Sequence, residues 1–201
     1  MSQITSVEEL EALYGTPSGA SLDKVARVLT PAYARWIERS RFCILSTAGP
    51  MGVQATPRGD DGPVVRIDGP RRLLMPDWRG NNRLDNLRNI VADGRASLMF
   101  MVPGSNNVVR CIGKAVLSRD AALLESFARK GVAPRTVIDF TLAEVYIQCA
   151  RALMRAGLWQ AGDCAEGLPS VGDVVAEVSA GGFDGAAYDA AWQGRARDTM
   201  W

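Results

Sequence analysis

Between Gln54 and Gly113 the chain reads QATPRGDDGPVVRIDGPRRLLMPDWRGNNRLDNLRNIVADGRASLMFMVPGSNNVVRCIG, and this stretch restricts the possible folds more than any other. Short runs of apolar and β-branched residues are cut by Gly59-Asp-Asp-Gly62, Asp68-Gly-Pro70 and Pro103-Gly-Ser-Asn-Asn107, combinations that turn a chain back on itself. One run alone has helical spacing: Leu84, Leu87, Ile90 and Val91 fall on one face of a helix predicted over Asn81–Val91.

Extended to both sides, the pattern predicts strands at Phe42–Ser46, Val53–Arg58, Val64–Ile67, Arg72–Met75, Ala96–Val102, Val108–Leu117 and Thr136–Gln148. Further helices are predicted at Ala121–Lys130 and Ala150–Trp159. Six or seven strands with short turns and one inserted helix indicate a closed or nearly closed antiparallel barrel, a mainly β (α+β) fold with peripheral helices. Three divisions are expected: a helical arm over 1–40 packed on the barrel, the barrel over 41–160 and a helical tail over 161–201. The arm opens on the capping box Ser6-Val-Glu-Glu9 and ends on a helix begun by Thr30-Pro31, an N-cap followed by proline at the first helical position. The tail carries one weak helix around Val174 and another around Tyr188 and Trp192.

Composition narrows the function classes. A net charge of +1 gives no basic field for nucleic acid or an anionic membrane. The chain contains no histidine, which removes the usual zinc and non-haem iron sites and any histidine base. Cys43 and Cys111 sit inside apolar strands and read as core; no C-x-x-C pair occurs, and no metal is expected. The polar, acidic N-terminus does not resemble a signal peptide, and no apolar run approaches a membrane span, so a reducing cytoplasm is the expected location. Lysine occurs only at Lys24, Lys114 and Lys130, with arginine supplying the other cations. Planar forks of this kind suit phosphate and carboxylate, though arginine-biased codon usage produces the same count.

The residues able to carry chemistry cluster at strand ends and at the predicted helix start. In Arg79-Gly-Asn-Asn-Arg83, free backbone N–H groups and the helix dipole attract an anion. Asn81 or Asn82 can cap the helix or donate to a phosphate, and Arg83 can reach the same point with a bidentate fork. Thr56-Pro-Arg58 ends a strand beside an acidic turn, so Arg58 is either a second phosphate clamp or the partner of Asp60 or Asp61. Met75-Pro76-Asp77-Trp78 ends another strand, where proline removes a ladder donor and leaves room for a ligand edge. Trp78 offers a flat face to a ring or packs on the surface, and Trp159 offers one to a ring or to the core. Arg110 interrupts an apolar strand and needs either solvent or an acceptor.

In chain order the motifs are T-P-R-G, L-M-P-D-W-R-G-N-N-R-L-D-N-L-R-N, S-L-M-F-M-V-P-G, V-V-R-C-I-G-K-A and E-V-Y-I-Q-C-A-R-A-L-M-R-A-G-L-W. From Trp36 to Trp159 this order resembles the pyridoxamine 5'-phosphate oxidase-related flavoproteins, in particular a branch of uncharacterised FMN-dependent members. The resemblance implies a split β-barrel homodimer with two FMN sites, each built from both subunits. It implies that Arg58, Asn82 and Arg83 lie at the FMN phosphate, that Met75 and Pro76 run along the flavin, and that Arg110 and Trp159 come from the partner subunit. Thr56, Asp77, Trp78, Asn81 and Gln148 complete the expected cofactor-binding set. Gln148 stands where that branch has histidine, and no proton-transfer role is assigned to it. The C-terminal arginine-histidine-arginine segment of true pyridoxamine phosphate oxidases is absent, and Trp192-Gln-Gly-Arg195 only echoes it, so vitamin B6 oxidation is not expected. The expectation is an FMN-dependent oxidoreductase acting on a small molecule. Two alternatives stand beside it: a non-catalytic flavin-binding protein, and a barrel for another planar cofactor such as a deazaflavin.

Overall fold

The computed structural model describes residues 3–199, with side chains to 197. Three helices lead: α1 (Val7–Tyr14), α2 (Gly19–Asp23) and α3 (Pro31–Arg39). Ser6 and Thr30 cap α1 and α3 by accepting from the N–H groups of Glu9 and Tyr33. No residue of α1 is buried. The segment that meets the strands begins at Ala26, which exchanges backbone hydrogen bonds with Val145; Leu29, Tyr33 and Trp36 follow it against the core, and Ile37 is fully buried.

The strands are β1 (Phe42–Gly49), β2 (Gly52–Gly59), β3 (Arg66–Ile67), β4 (Arg72–Asp77), β5 (Arg95–Met101), β6 (Val108–Ser118) and β7 (Thr136–Gln148). They form one antiparallel sheet in the order β2-β1-β5-β6-β7-β4-β3. Helix α4 (Asp85–Ala92) is inserted between β4 and β5, α5 (Ala121–Glu125) between β6 and β7. Alternation along the strands aims Cys43, Leu45, Leu98, Phe100, Val109, Cys111, Phe140 and Leu142 into one core, as expected of strands with a single buried face. β6 bends at a bulge between Ile112 and Gly113. A Cβ on Gly113 would lie 2.1 Å from the Thr141 carbonyl oxygen, so only glycine fits at that crossing.

No ladder joins the two ends of the sheet, β2 and β3. The seam is bridged by side chains and by the chain after β2: Arg58 of β2 reaches Asp77 of β4, and the N–H groups of Asp60 and Val64 bond to the Arg41 and Ser40 carbonyls. The fold is therefore a split antiparallel barrel, mainly β. Helix α4 is pinned beside the seam by Asn86 and Asn89, both buried: Asn86 Nδ2 donates to Leu45 O, and Asn89 Nδ2 donates to Gly52 O at 2.9 Å while its Oδ1 accepts from Met51 N.

After β7 come α6 (Arg151–Ala156), α7 (Val171–Val178), α8 (Gly185–Ala190) and α9 (Trp192–Thr199). Helices α7 and α8 approach so closely at Gly172 and Gly185 that a Cβ on either would lie under 2.5 Å from the other's backbone. Asp189 of α8 accepts from Ser170 Oγ and Gly172 N at the start of α7. The tail thus packs chiefly on itself, and it meets the barrel at the seam through α9.

Several boundaries differ from the sequence reading. The predicted helix over Asn81–Val91 starts at Asp85, because Asn81 bonds locally in the preceding loop. The Ala121–Lys130 helix ends at Glu125, where a 3.0 Å bond from Ser126 N to Ala122 O closes the last turn. The Ala150–Trp159 helix stops at Ala156: Gly157 takes a left-handed φ of 57°, leaving Trp159 in the turn beyond. The tail holds three helices among the described residues. Among those residues no helix is long and apolar enough to cross a membrane.

Candidate functional site at the barrel seam

Thr56 and Arg58 are two residues apart on β2 and so share a face. Opposite them, across the seam, stands Asp77 at the end of β4. Arg58 donates from Nη1 to Asp77 Oδ1. The alternative partners considered from sequence, Asp60 and Asp61, are instead taken by Arg129, whose Nη1 donates to both.

The chain then runs from Trp78 to Leu84 as an open loop over the start of α4. Asn81 Oδ1 accepts from Arg83 N at 3.0 Å, a side-chain-to-backbone turn that competes with helix and holds Asn81 four residues ahead of α4. Asn82 has a φ of 59°, a left-handed conformation that asparagine tolerates better than most residues. Its Oδ1 accepts from Arg135 Nη1 at 2.9 Å. Arg83 donates from Nε to Asp85 Oδ2 at 2.8 Å, and that bond raises its pKa. Asp85 in the first turn of α4 suits the helix dipole.

These segments enclose a cleft of about 270 Å³ lined by Thr56, Pro57, Arg58, Asp77, Trp78, Gly80–Leu84, Asn86, Leu87 and Arg135. Three arginines against one lining aspartate give it a cationic wall. Among the described residues five buried side-chain polar atoms have no hydrogen-bond partner, and three of them belong to this lining: Thr56 Oγ1, Arg58 Nε and Trp78 Nε1. Such groups are costly to bury unpaired, and three of the five belong to residues around this one cleft. A second hollow of about 370 Å³ adjoins the first, sharing Pro57, Arg58, Trp78 and Gly80. Its walls are Val64, Met75 and Pro76 from the barrel and Trp192 and Ala196 from α9.

Of the residues singled out from sequence, Thr56, Arg58, Asp77, Trp78, Asn81, Asn82 and Arg83 are brought together in the first cleft, and Met75 and Pro76 in the second. Arg110, Gln148 and Trp159 line neither. The Arg110 guanidinium lies 5.6 Å from the Tyr146 ring centroid, Gln148 is exposed at the end of β7 opposite Val108, and Trp159 Nε1 donates to Ser105 O at 2.7 Å. Sequence reasoning missed Arg135 and the tail residues Trp192 and Ala196 as lining groups. An arginine opening the last strand was visible in the sequence for Arg135; nothing local marked the tail helix.

An antiparallel split barrel with an arginine-lined cleft at its open seam is the class that fold and site define. The chain belongs to the pyridoxamine 5'-phosphate oxidase family, whose model matches residues 29–149. No curated protein matches the chain. Solved structures similar to it include HupZ of Group A Streptococcus, at 12% identity and a TM-score of 0.48 over 59% of this chain and 93% of that one. General Stress Protein 26 of Bacillus anthracis is similar at 13% identity and 0.43 over 57% and 88%. An FMN-binding protein of Syntrophomonas wolfei is similar at 9% identity and 0.43 over 71% and 97%.

Proposed function

We propose that this chain is an FMN-binding flavoprotein that works as an FMN-dependent oxidoreductase on a small molecule. One observation supports the reading: three residues with unpaired buried polar atoms, Thr56, Arg58 and Trp78, line one cleft together with Arg83, Arg135 and the Asn81–Asn82 loop. That donor set fits a phosphate monoester on a polar stem. Arg58 and Arg83 would hold the phosphate by charge-assisted hydrogen bonds, Arg135 would keep Asn82 in place, and Met75, Pro76 and Trp78 would border the ring. A bound flavin supplies hydride and electron transfer. The ionisable groups lining the first cleft are arginines and the paired Asp77, so the protein's own share is to bind, orient and exclude water. No G-x-G-x-x-G turn follows a strand, which favours a mononucleotide over a dinucleotide.

The active form in this reading is a homodimer. Arg110, Gln148 and Trp159 lie away from the cleft of their own chain and become site residues only when a second copy presents them. Four free cysteines, two of them exposed, favour a reducing cytoplasm.

The test is the absorption spectrum of protein purified without added cofactor and again after reconstitution, with the released cofactor identified by chromatography. FMN near one per chain is expected; FAD alone, or no flavin after reconstitution, would overturn the reading. An anaerobic NAD(P)H titration then separates an enzyme, which reduces and reoxidises rapidly, from a flavin carrier.

A further inference from the structure

Helix α1 presents an apolar stripe that its own chain leaves uncovered. Val7, Leu10, Leu13 and Tyr14 recur at helical spacing, yet none is buried: Leu13 is 68% exposed and Tyr14 78%. Single exposed apolar residues are ordinary, but a helix of 8 residues gains its stability from a packed face. Glu9 and Glu11 flank the stripe, and Glu8 adds a third carboxylate. Among the described residues none of the three has an ion-pair partner.

A hollow of matching chemistry lies on α3. Ile37 fastens that helix to the core. Ala32, Arg35, Trp36 and Arg39, at the i, i+3, i+4 and i+7 spacing of one helix face, line a space of about 600 Å³ together with Glu38 and Val102. Arg35 and Arg39 are exposed, and among the described residues neither has a carboxylate partner. Trp36 and Val102 are half-buried and supply apolar surface. The hollow adjoins the end of the sheet that the dimer reading turns toward a second copy: Val102 follows Met101, which stands in one row with Val108 and Gln148 across β5, β6 and β7.

We propose that α1 of each copy docks in the α3 hollow of the other. Leu10, Leu13 and Tyr14 enter it over Trp36 and Val102, and Glu11 meets Arg35 and Arg39. This rests on the dimer half of the reading above and is independent of the flavin. A two-fold axis makes both contacts at once, apolar burial supplies the affinity, and opposite charges fix the register.

Sedimentation equilibrium of the full chain over a concentration series tests this. Leu13→Ser is expected to weaken the dimer about tenfold, with the single chain unharmed because the residue is exposed there. Glu11→Arg and Arg35→Glu should each weaken it about tenfold by opposing like charges, and the two together should recover most of the loss. A second measurement follows the arm directly. Leu10→Cys and Ala32→Cys are placed in separate chains, both carrying Cys149→Ser and Cys164→Ser, the exposed cysteines being thereby removed. A short bismaleimide should give covalent dimer when the two chains are mixed. A dimer indifferent to the three substitutions, or a mixture that yields no covalent dimer, would overturn the arm docking and leave the dimer standing. A chain that is monomeric at micromolar concentration would overturn both. Protein that takes up no flavin yet dimerises through the arm would overturn the flavin reading alone and support the docking.

Discussion

Arg58 and Asp77 join β2 to β4, two strands that share no backbone hydrogen bond. The Arg58 side chain is 24% exposed and that of Asp77 12%, so the pair is shielded enough to matter for both stability and charge. It bridges the seam and leaves the buried Arg58 Nε without a partner.

Arg58→Ala is expected to do two separable things. FMN affinity should fall about tenfold or more, since a charge-assisted hydrogen bond is worth about 1.5–3 kcal/mol. The melting temperature should also fall, because Asp77 is left largely buried without its partner. Adding Asp77→Ala should recover much of the melting temperature and none of the affinity. Thermal denaturation alongside FMN titration of the two variants checks both parts.

Arg83 behaves differently because its side chain is 78% exposed. Arg83→Ala should weaken FMN by about tenfold with little change in melting temperature. Arg83→Lys should rescue only part of the affinity, the planar fork being lost. Equilibrium fluorescence titration of flavin against each variant measures this.

Asn89→Ala should be the most damaging of these changes to stability. Its amide serves Thr47 Oγ1, Gly52 O and Met51 N at once, and it is fully buried. Thr47 Oγ1 keeps its bond from Asn86, but leaving Gly52 O and Met51 N without their partner should cost about 2–4 kcal/mol in urea denaturation. Gly49→Ala should approach the same loss, since its Cβ would lie 2.6 Å from Asn89 Oδ1.

Burial pushes the Cys43 thiol up to about 12, with Arg58 pulling the other way, and burial followed by Cys43 pushes Cys111 up to about 12. Both folded values lie above the ordinary 9.0. The stabilisation they carry is fully present below pH about 9 and is lost as pH rises from there toward 12. In native protein at pH 8 a disulfide reagent should label only the exposed Cys149 and Cys164 quickly; all four should react in denaturant.

Sedimentation of FMN-loaded protein at micromolar concentration should give a dimer. Trp159→Ala should weaken FMN while leaving the contacts of Arg58 and Arg83 intact, and added FMN should raise the dimer's melting temperature. A flavin-loaded monomer would remove Arg110 and Trp159 from the site.

Much of this was legible in the sequence because it is local. Period-two burial and Gly/Pro turns determined the strands, β7 to the residue at Thr136–Gln148, and Thr30-Pro31 determined the start of α3. Asp77, Trp78, Asn81, Asn82 and Arg83 lie near each other in the chain, so their association followed from one strand end and its loop, whereas Thr56 and Arg58 stand on β2, a strand not paired with β4. Other features depended on contacts between distant segments, which no local pattern encodes. Arg58 could have paired with Asp60 or Asp61, a few residues away; the curl of the sheet brought Asp77 to it instead and left the nearer acids to Arg129. The start of α4 moved because Asn81 found a bond within its own loop. Arg135 and Trp192 reached the seam only through the path of β7 and the self-packed tail. Local propensity and periodicity set the elements of this protein, while the packing of the curved sheet decided which charges met across its seam.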